Sequence, residues 1–228
     1  MPAAATPSPR SLALYSAALL ALLAWSGWRP YDAGVWAMEV APVFVALPIL
    51  WATHRRFPLT PLLYALIFAH ACVLMLGGHY SYARVPLGEW LREACAFERN
   101  HYDRIGHLMQ GIVPAMAARE LLLRHTGLSR DDSRGGWLFT LVTAVALAIS
   151  AIYELIEWGT AIALGAGADE FLATQGDAWD TQQDMAMAWI GAMAAQLLLA
   201  RRHDRQLAAL AASQGVVGSP PTPRTAST

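Results

Sequence analysis

The chain has no lysine at all: each of its 16 basic residues is an arginine. Charge of either sign is scarce, at 14% of residues, where a soluble domain carries roughly 25%. The formal net charge is -1 and no basic block occurs, which leaves no electrostatic footprint for nucleic acid. Cysteine is limited to Cys72, in an apolar segment, and Cys95, in a loop. That pair matches no metal spacing and gives no reason to expect a disulfide. An A-x-A cleavage site is also missing after the first apolar segment, whose exit reads WSGWRPYDAG, so this segment is expected to remain as a helix.

What fills the chain instead is hydrophobic, 56% of residues. Crossing the hydrocarbon takes about 20 mostly apolar residues. Six stretches approach that length: Ser11 to Trp28, Val35 to Ala52, Pro61 to Gly77, Arg104 to Leu123, Trp137 to Leu164 and Asp184 to Ala200. They are rich in Ala and Leu and lack strand-like alternation, which favours helices over a barrel. Trp28, Trp36, Trp51 and Trp137 fall near the proposed ends, where an amphipathic ring prefers the interface. The expected fold is all-α, a polytopic membrane bundle of about six transmembrane helices, with the lipid bilayer as its surroundings. Residues 11–207 would form the bundle, and residues 1–10 and the polar Pro/Ser/Thr tail 208–228 are expected to be disordered.

Positive charge stays on the cytoplasmic side of a membrane protein. Arg10, Arg55, Arg56, Arg124, Arg130, Arg134, Arg201, Arg202, Arg205 and Arg224 fall on one side, while the other holds Arg29, Arg84, Arg92 and Arg99. The segment Gly165 to Trp179 has no basic residue, only Asp169, Glu170 and Asp177. Both termini are therefore expected in the cytoplasm. With that topology Asp103, His107, Glu154, Glu157, Asp180 and Asp184 all come out near the outer leaflet, and Glu39 joins them. This shared depth is independent of the arginine count.

The stretch YDRIGHLMQG (Tyr102 to Gly111) sets Asp103 and His107 four apart, on one helical face, with Gln110 and Gly111 continuing the stripe. Glu154 and Glu157 are neighbours in YELIEW, and Asp180 and Asp184 repeat the spacing of four in WDTQQD. An unpaired carboxylate in hydrocarbon costs several kcal/mol, so such groups need partners, water or a metal. Three readings fit. In one, His107, Glu157 and Asp184 hold a divalent metal ion with an open position. In another, His107 exchanges a proton with Asp103 or Glu157, in catalysis or in proton-coupled transport. In the third, the groups only pair and hold the helices together. The bland alternatives are specific: Asp103 and Asp180 as helix caps, the latter paired with Gln183, and Arg119 with Glu120 snorkelling to water at the inner end. His70, alone in the third apolar segment, needs no more than a nearby carbonyl. Gly191 and Ala195 suit close helix packing, and Pro114 suits a kink. Leu87 to Phe97 has the spacing of an amphipathic helix lying on the outer surface, above the polar level.

The runs GGHYSYARVPLGEW, ERNHYDRIGHLMQGIVPAMAARE, AISAIYELIEW and GADEFLATQGDAWDTQQDM resemble, in order, the YjdF family of predicted bacterial inner-membrane proteins, from about Pro61 to Leu207. More distantly, Asp103, Arg104 and His107, then Glu157, then Asp184 with Gly191 resemble the acidic-basic-histidine, glutamate and aspartate pattern of VanZ-like proteins. Arginine stands here for the usual lysine, and Ala188 for the usual asparagine. The resemblance implies a multi-pass inner-membrane protein connected with the cell envelope or with envelope-active antibiotics. The combined expectation is an outer-face site with His107, Glu157, Asp184, Asp103 and Glu154 as catalytic candidates, in metal-assisted or acid/base action on an envelope or lipid substrate. The alternatives are a small proton-coupled transporter and a non-catalytic structural membrane protein.

Overall fold

The computed structural model describes residues 8–128, 134–164 and 174–214, and within these the regular elements are all helical. They are α1 (Pro9–Ser26), α2 (Ala33–Thr53), α3 (Pro61–Tyr80), α4 (Pro86–Cys95), α5 (Tyr102–His125), α6 (Arg134–Leu164) and α7 (Asp180–Ser213), with a short 3-10 turn at Tyr82–Arg84. The expected disordered tails lie, for residues 1–7 and 215–228, outside the described residues, as do Asp169 and Glu170. α7 runs past the Leu207 boundary drawn from hydropathy, with Leu207 and Leu210 buried.

Local chemistry explains the starts. Ser8, Asp32 and Thr60 each accept a hydrogen bond from the first turn of α1, α2 and α3, and a proline opens α1, α3 and α4, where its missing N–H is harmless. α4 stops at Ala96, which takes a left-handed conformation at φ 53°.

Among the described residues, three helices are long and apolar enough to span on hydropathy alone: α2, α3 and the Gly136–Ala163 part of α6. α5 and α7 have the length, at 24 and 34 residues, but their charges lower the mean hydropathy. Those charges are turned inward: Asp103, Arg119, Glu120, Asp184 and His203 are all buried. The outward faces are apolar instead, as with Leu155 and Ile156 of α6 and Leu198 of α7, which is 78% exposed. Such a belt suits lipid and not water.

α5 and α7 form the centre of the bundle, with α6 and α3 packed beside α5, and α2 and α1 packed on α3. The two central helices touch backbone to backbone. A β carbon on Gly111 would run into the Ala188 carbonyl, and one on Gly191 into the Leu108 carbonyl. Small residues at these crossings allow the approach, which fixes α5 against α7 at the level of the polar residues above.

The end of the bundle where α5 finishes overturns one expectation. Arg119 and Glu120 do not snorkel: both are buried, in a network joining α3, α5 and α7. Glu120 accepts from the Thr60 hydroxyl at 2.8 Å, the Thr60 amide at 3.1 Å and Arg124 at 3.0 Å. His203 lies 3.0 Å from Glu120 through Nε2 and 2.8 Å from Arg119 through Nδ1. Arginine can only donate, so Nδ1 accepts and Nε2 carries the proton given to Glu120. Arg119 also reaches Asp204 at 2.6 Å.

Candidate functional site

Asp103, His107 and Asp184 meet where α5 and α7 touch. One donor atom from each lies within 4.8 Å of the others. His107 Nε2 is 3.3 Å from Asp103 Oδ1 and 3.7 Å from Asp184 Oδ1. Its Nδ1 is 3.0 Å from Gln110 Oε1 and 3.6 Å from Glu154 Oε1. At ~1.5 Å rise per residue, His107 sits roughly 8 Å below the start of α5 and Asp184 about 6 Å below the start of α7, so the group lies within the half of the bundle where α5 and α7 begin.

Arg104 organises the side facing α7. Its guanidinium bonds Asp184, and it reaches Asp180 and Gln183, each at 2.9 Å. Arg99 adds ion pairs to Asp180 at 2.8 Å and Asp177 at 3.1 Å. Asp177, in the loop before α7, accepts from the Trp179 amide at 2.9 Å. That backbone bond, then Gln183 and the two guanidiniums, holds its carboxyl below the usual carboxylate range, so Asp177 stays charged as the medium is acidified past ordinary carboxylates. The caps expected at Asp103 and Asp180 do not form. α5 and α7 begin after His101 and Trp179 with no side-chain cap, because Asp103 turns to His107 and Arg104 on its own helix and Asp180 is taken by Arg99 and Arg104.

The roof is tied down by Asn100, which is fully buried. Its side chain donates to the Val85 carbonyl at 3.1 Å and Glu89 at 3.2 Å, and accepts from the Tyr102 amide at 3.0 Å. Its backbone exchanges two hydrogen bonds with the Gln175 side chain, at 3.0 and 2.9 Å. α4 is thus held over the loops that precede α5 and α7. Leu87 and Trp90 of α4 are left exposed, as an interfacial helix requires.

Glu157 goes elsewhere. It does not join the ion pairs of His107; it lines a cavity of about 210 Å³ with Glu39, Tyr153, His107 and Asp103. Glu154 is the α6 carboxylate that approaches His107, and its Oε1 is buried with no hydrogen-bond partner. Tyr153 donates to Glu39 Oε2 at 3.0 Å. His79, in the last turn of α3, points to α1, bonding the Ser26 carbonyl at 2.9 Å and stacking on Trp25. Asn100 and Gln175 gave little signal in sequence, since they act through each other from separate segments and, for Asn100, by burial.

Helices with lipid-facing apolar sides and charges turned inward define a multi-pass α-helical membrane protein. Residues 11–205 match a family described as predicted membrane protein DUF2238, and the chain belongs to that family. It is 50% identical over 203 residues, 89% of this chain and 95% of the relative, to "Inner membrane protein YjdF" of Escherichia coli (strain K12). No solved structure matches the chain.

Proposed function

We propose that this chain resides in the bacterial inner membrane with both termini cytoplasmic, and that its outer half holds a divalent cation through Asp103, His107 and Asp184. The site would serve metal-assisted or acid/base chemistry on an envelope or lipid substrate. The observation that carries this reading is the convergence of one imidazole and two carboxylates within 4.8 Å, close enough for small rotations to reach bonds of ~2.0–2.2 Å. Gln110 supports it: as an acceptor for the Nδ1 proton of His107, it leaves Nε2 free to ligate, the outer-shell arrangement typical of metal-bound histidine. The charge balance supports it too. Among the described residues, five carboxylates (Asp103, Glu154, Asp177, Asp180 and Asp184) are set against two guanidiniums, Arg99 and Arg104, and the imidazole of His107, an excess of carboxylate in a poorly solvated place.

A bound cation would supply Lewis acidity and a more acidic water. Glu154, with Oε1 unpartnered and 3.6 Å from His107, is the residue suited to take a proton there. The test is the metal content of purified protein equilibrated with Zn²⁺ or Mn²⁺ and desalted. Wild type is expected to keep about one ion per chain, His107→Ala and Asp184→Asn to lose most of it (roughly tenfold or more in affinity), and Glu157→Gln to keep it. Equal content in wild type and His107→Ala would overturn the assignment.

The orientation rests on arginine asymmetry. Alkaline phosphatase fused after Thr228 is expected to be inactive and a green fluorescent protein fused there bright. The opposite pair of results would move the site to the cytoplasmic half.

A further inference from the structure

The cavity between α2, α3, α5 and α6 differs in charge from the group beside it. Three carboxylates line it, Glu39, Asp103 and Glu157, and no arginine does among the described residues. The guanidiniums of Arg99 and Arg104 are committed to Asp177, Asp180 and Asp184 on the α7 side. Asp103 has His107 at 3.3 Å, whereas Glu39 has the neutral hydroxyls of Tyr153, at 3.0 Å, and Tyr82. Carboxylates at this depth call for a positive partner.

The rest of the lining is apolar, with Leu74, Val113 and Pro114 toward mid-membrane. His70 lines the cavity as well, and its Nε2 is buried with no hydrogen-bond partner, a polar atom whose hydrogen-bonding capacity is unmet. The cavity also meets the lipid-facing surface. Ile149 lines it and is 41% exposed, and α2 and α6 are not among the helix pairs that pack extensively. The Tyr153 to Glu39 hydrogen bond bridges them.

We propose that this cavity binds the ammonium head of an amphiphile that enters from the outer leaflet between α2 and α6, with its hydrocarbon tail left in the seam. The head lies between Glu39 and Glu157, donates to His70 where it carries N–H, and has the Tyr153 and Tyr82 rings within reach for cation–π contact. A phosphate head is repelled by the same carboxylates. This goes beyond the cation site at Asp103, His107 and Asp184 and stands whether or not a metal binds there.

The test is photolabelling of the full chain in lipid nanodiscs with a diazirine-bearing dodecyltrimethylammonium probe, with labelled peptides mapped by mass spectrometry. Saturable labelling of α2 and α6 is expected, blocked by unlabelled dodecyltrimethylammonium and not by dodecyl phosphate. Glu39→Gln/Glu157→Gln is expected to weaken it about tenfold or more. Ile149→Trp, which fills the mouth and keeps both carboxylates, is expected to lower it as well, so the result does not depend on how well the double variant folds. Zn²⁺ retention by the Ile149→Trp protein reports separately on the His107 group. Wild-type labelling in a folded double variant, equal competition by dodecyl phosphate, or no saturable labelling on α2 and α6 would overturn the proposal.

Discussion

Glu120→Ala is expected to cost about 3–5 kcal/mol, the range for stripping one partner from a buried charged network. With 2–4 °C lost per kcal/mol in a chain of this size, the melting midpoint falls by roughly 10 °C. The reason is local. Glu120 is fully buried and is the acceptor for the Thr60 hydroxyl and amide, Arg124 and the His203 Nε2 proton. Removing it strands the Thr60 and His203 donors where water does not reach, while Arg124 keeps the Pro58 carbonyl. Because Thr60 caps α3 and His203 belongs to α7, the loss loosens three helices together. Glu120→Gln retains the volume and one acceptor oxygen, and a smaller drop is expected. Thermal unfolding in one detergent at one scan rate checks both, and a Glu120→Ala midpoint within a degree or two of wild type would contradict the account.

The second large effect is at the α5 and α7 crossing. Gly111→Ala and Gly191→Ala each place a methyl group against a backbone carbonyl, of Ala188 and Leu108 respectively. A backbone carbonyl in a helix has no rotamer to escape into, so the helices must separate or rotate. Overpacking of this kind costs about 1–3 kcal/mol. The functional loss should exceed the loss of stability, because the same crossing brings His107 and Asp103 of α5 to Asp184 of α7. Each alanine variant is expected to lose bound Zn²⁺ under conditions where it remains folded. Alanine at Gly136, which faces open space, is the matched control and should change neither.

Much of this architecture was legible in the sequence because membrane physics is simple. Apolar length predicted the spanning helices, and spacing of four put Asp103 and His107 on one face. Depth alone suggested that Asp184 and the α6 carboxylates would join them. What depth does not give is rotation. Glu154 and Glu157 are three residues apart on the same helix, and only the packing of α6 on α5 turns Glu154 toward His107 and Glu157 toward the cavity. The inner network was hidden for another reason. Arg119 and Glu120 read singly as snorkelling side chains, whereas Glu120 finds its partners 60 and 83 positions away, at Thr60 and His203. The helix cap assigned to Asp180 failed in the same way, since Arg99 and Arg104 reach it across the fold, whereas Asp103 is drawn to His107 and Arg104 on its own helix.

The central claim is that α5 and α7 bring one histidine and two aspartates to a single cation. X-ray absorption spectroscopy of the Zn²⁺-loaded protein tests it most directly. The account predicts a shell of nitrogen and oxygen at ~2.0–2.2 Å with no sulfur, one imidazole in the outer scattering, and loss of that imidazole in His107→Ala. A spectrum without imidazole, or one that His107→Ala leaves unchanged, would contradict it.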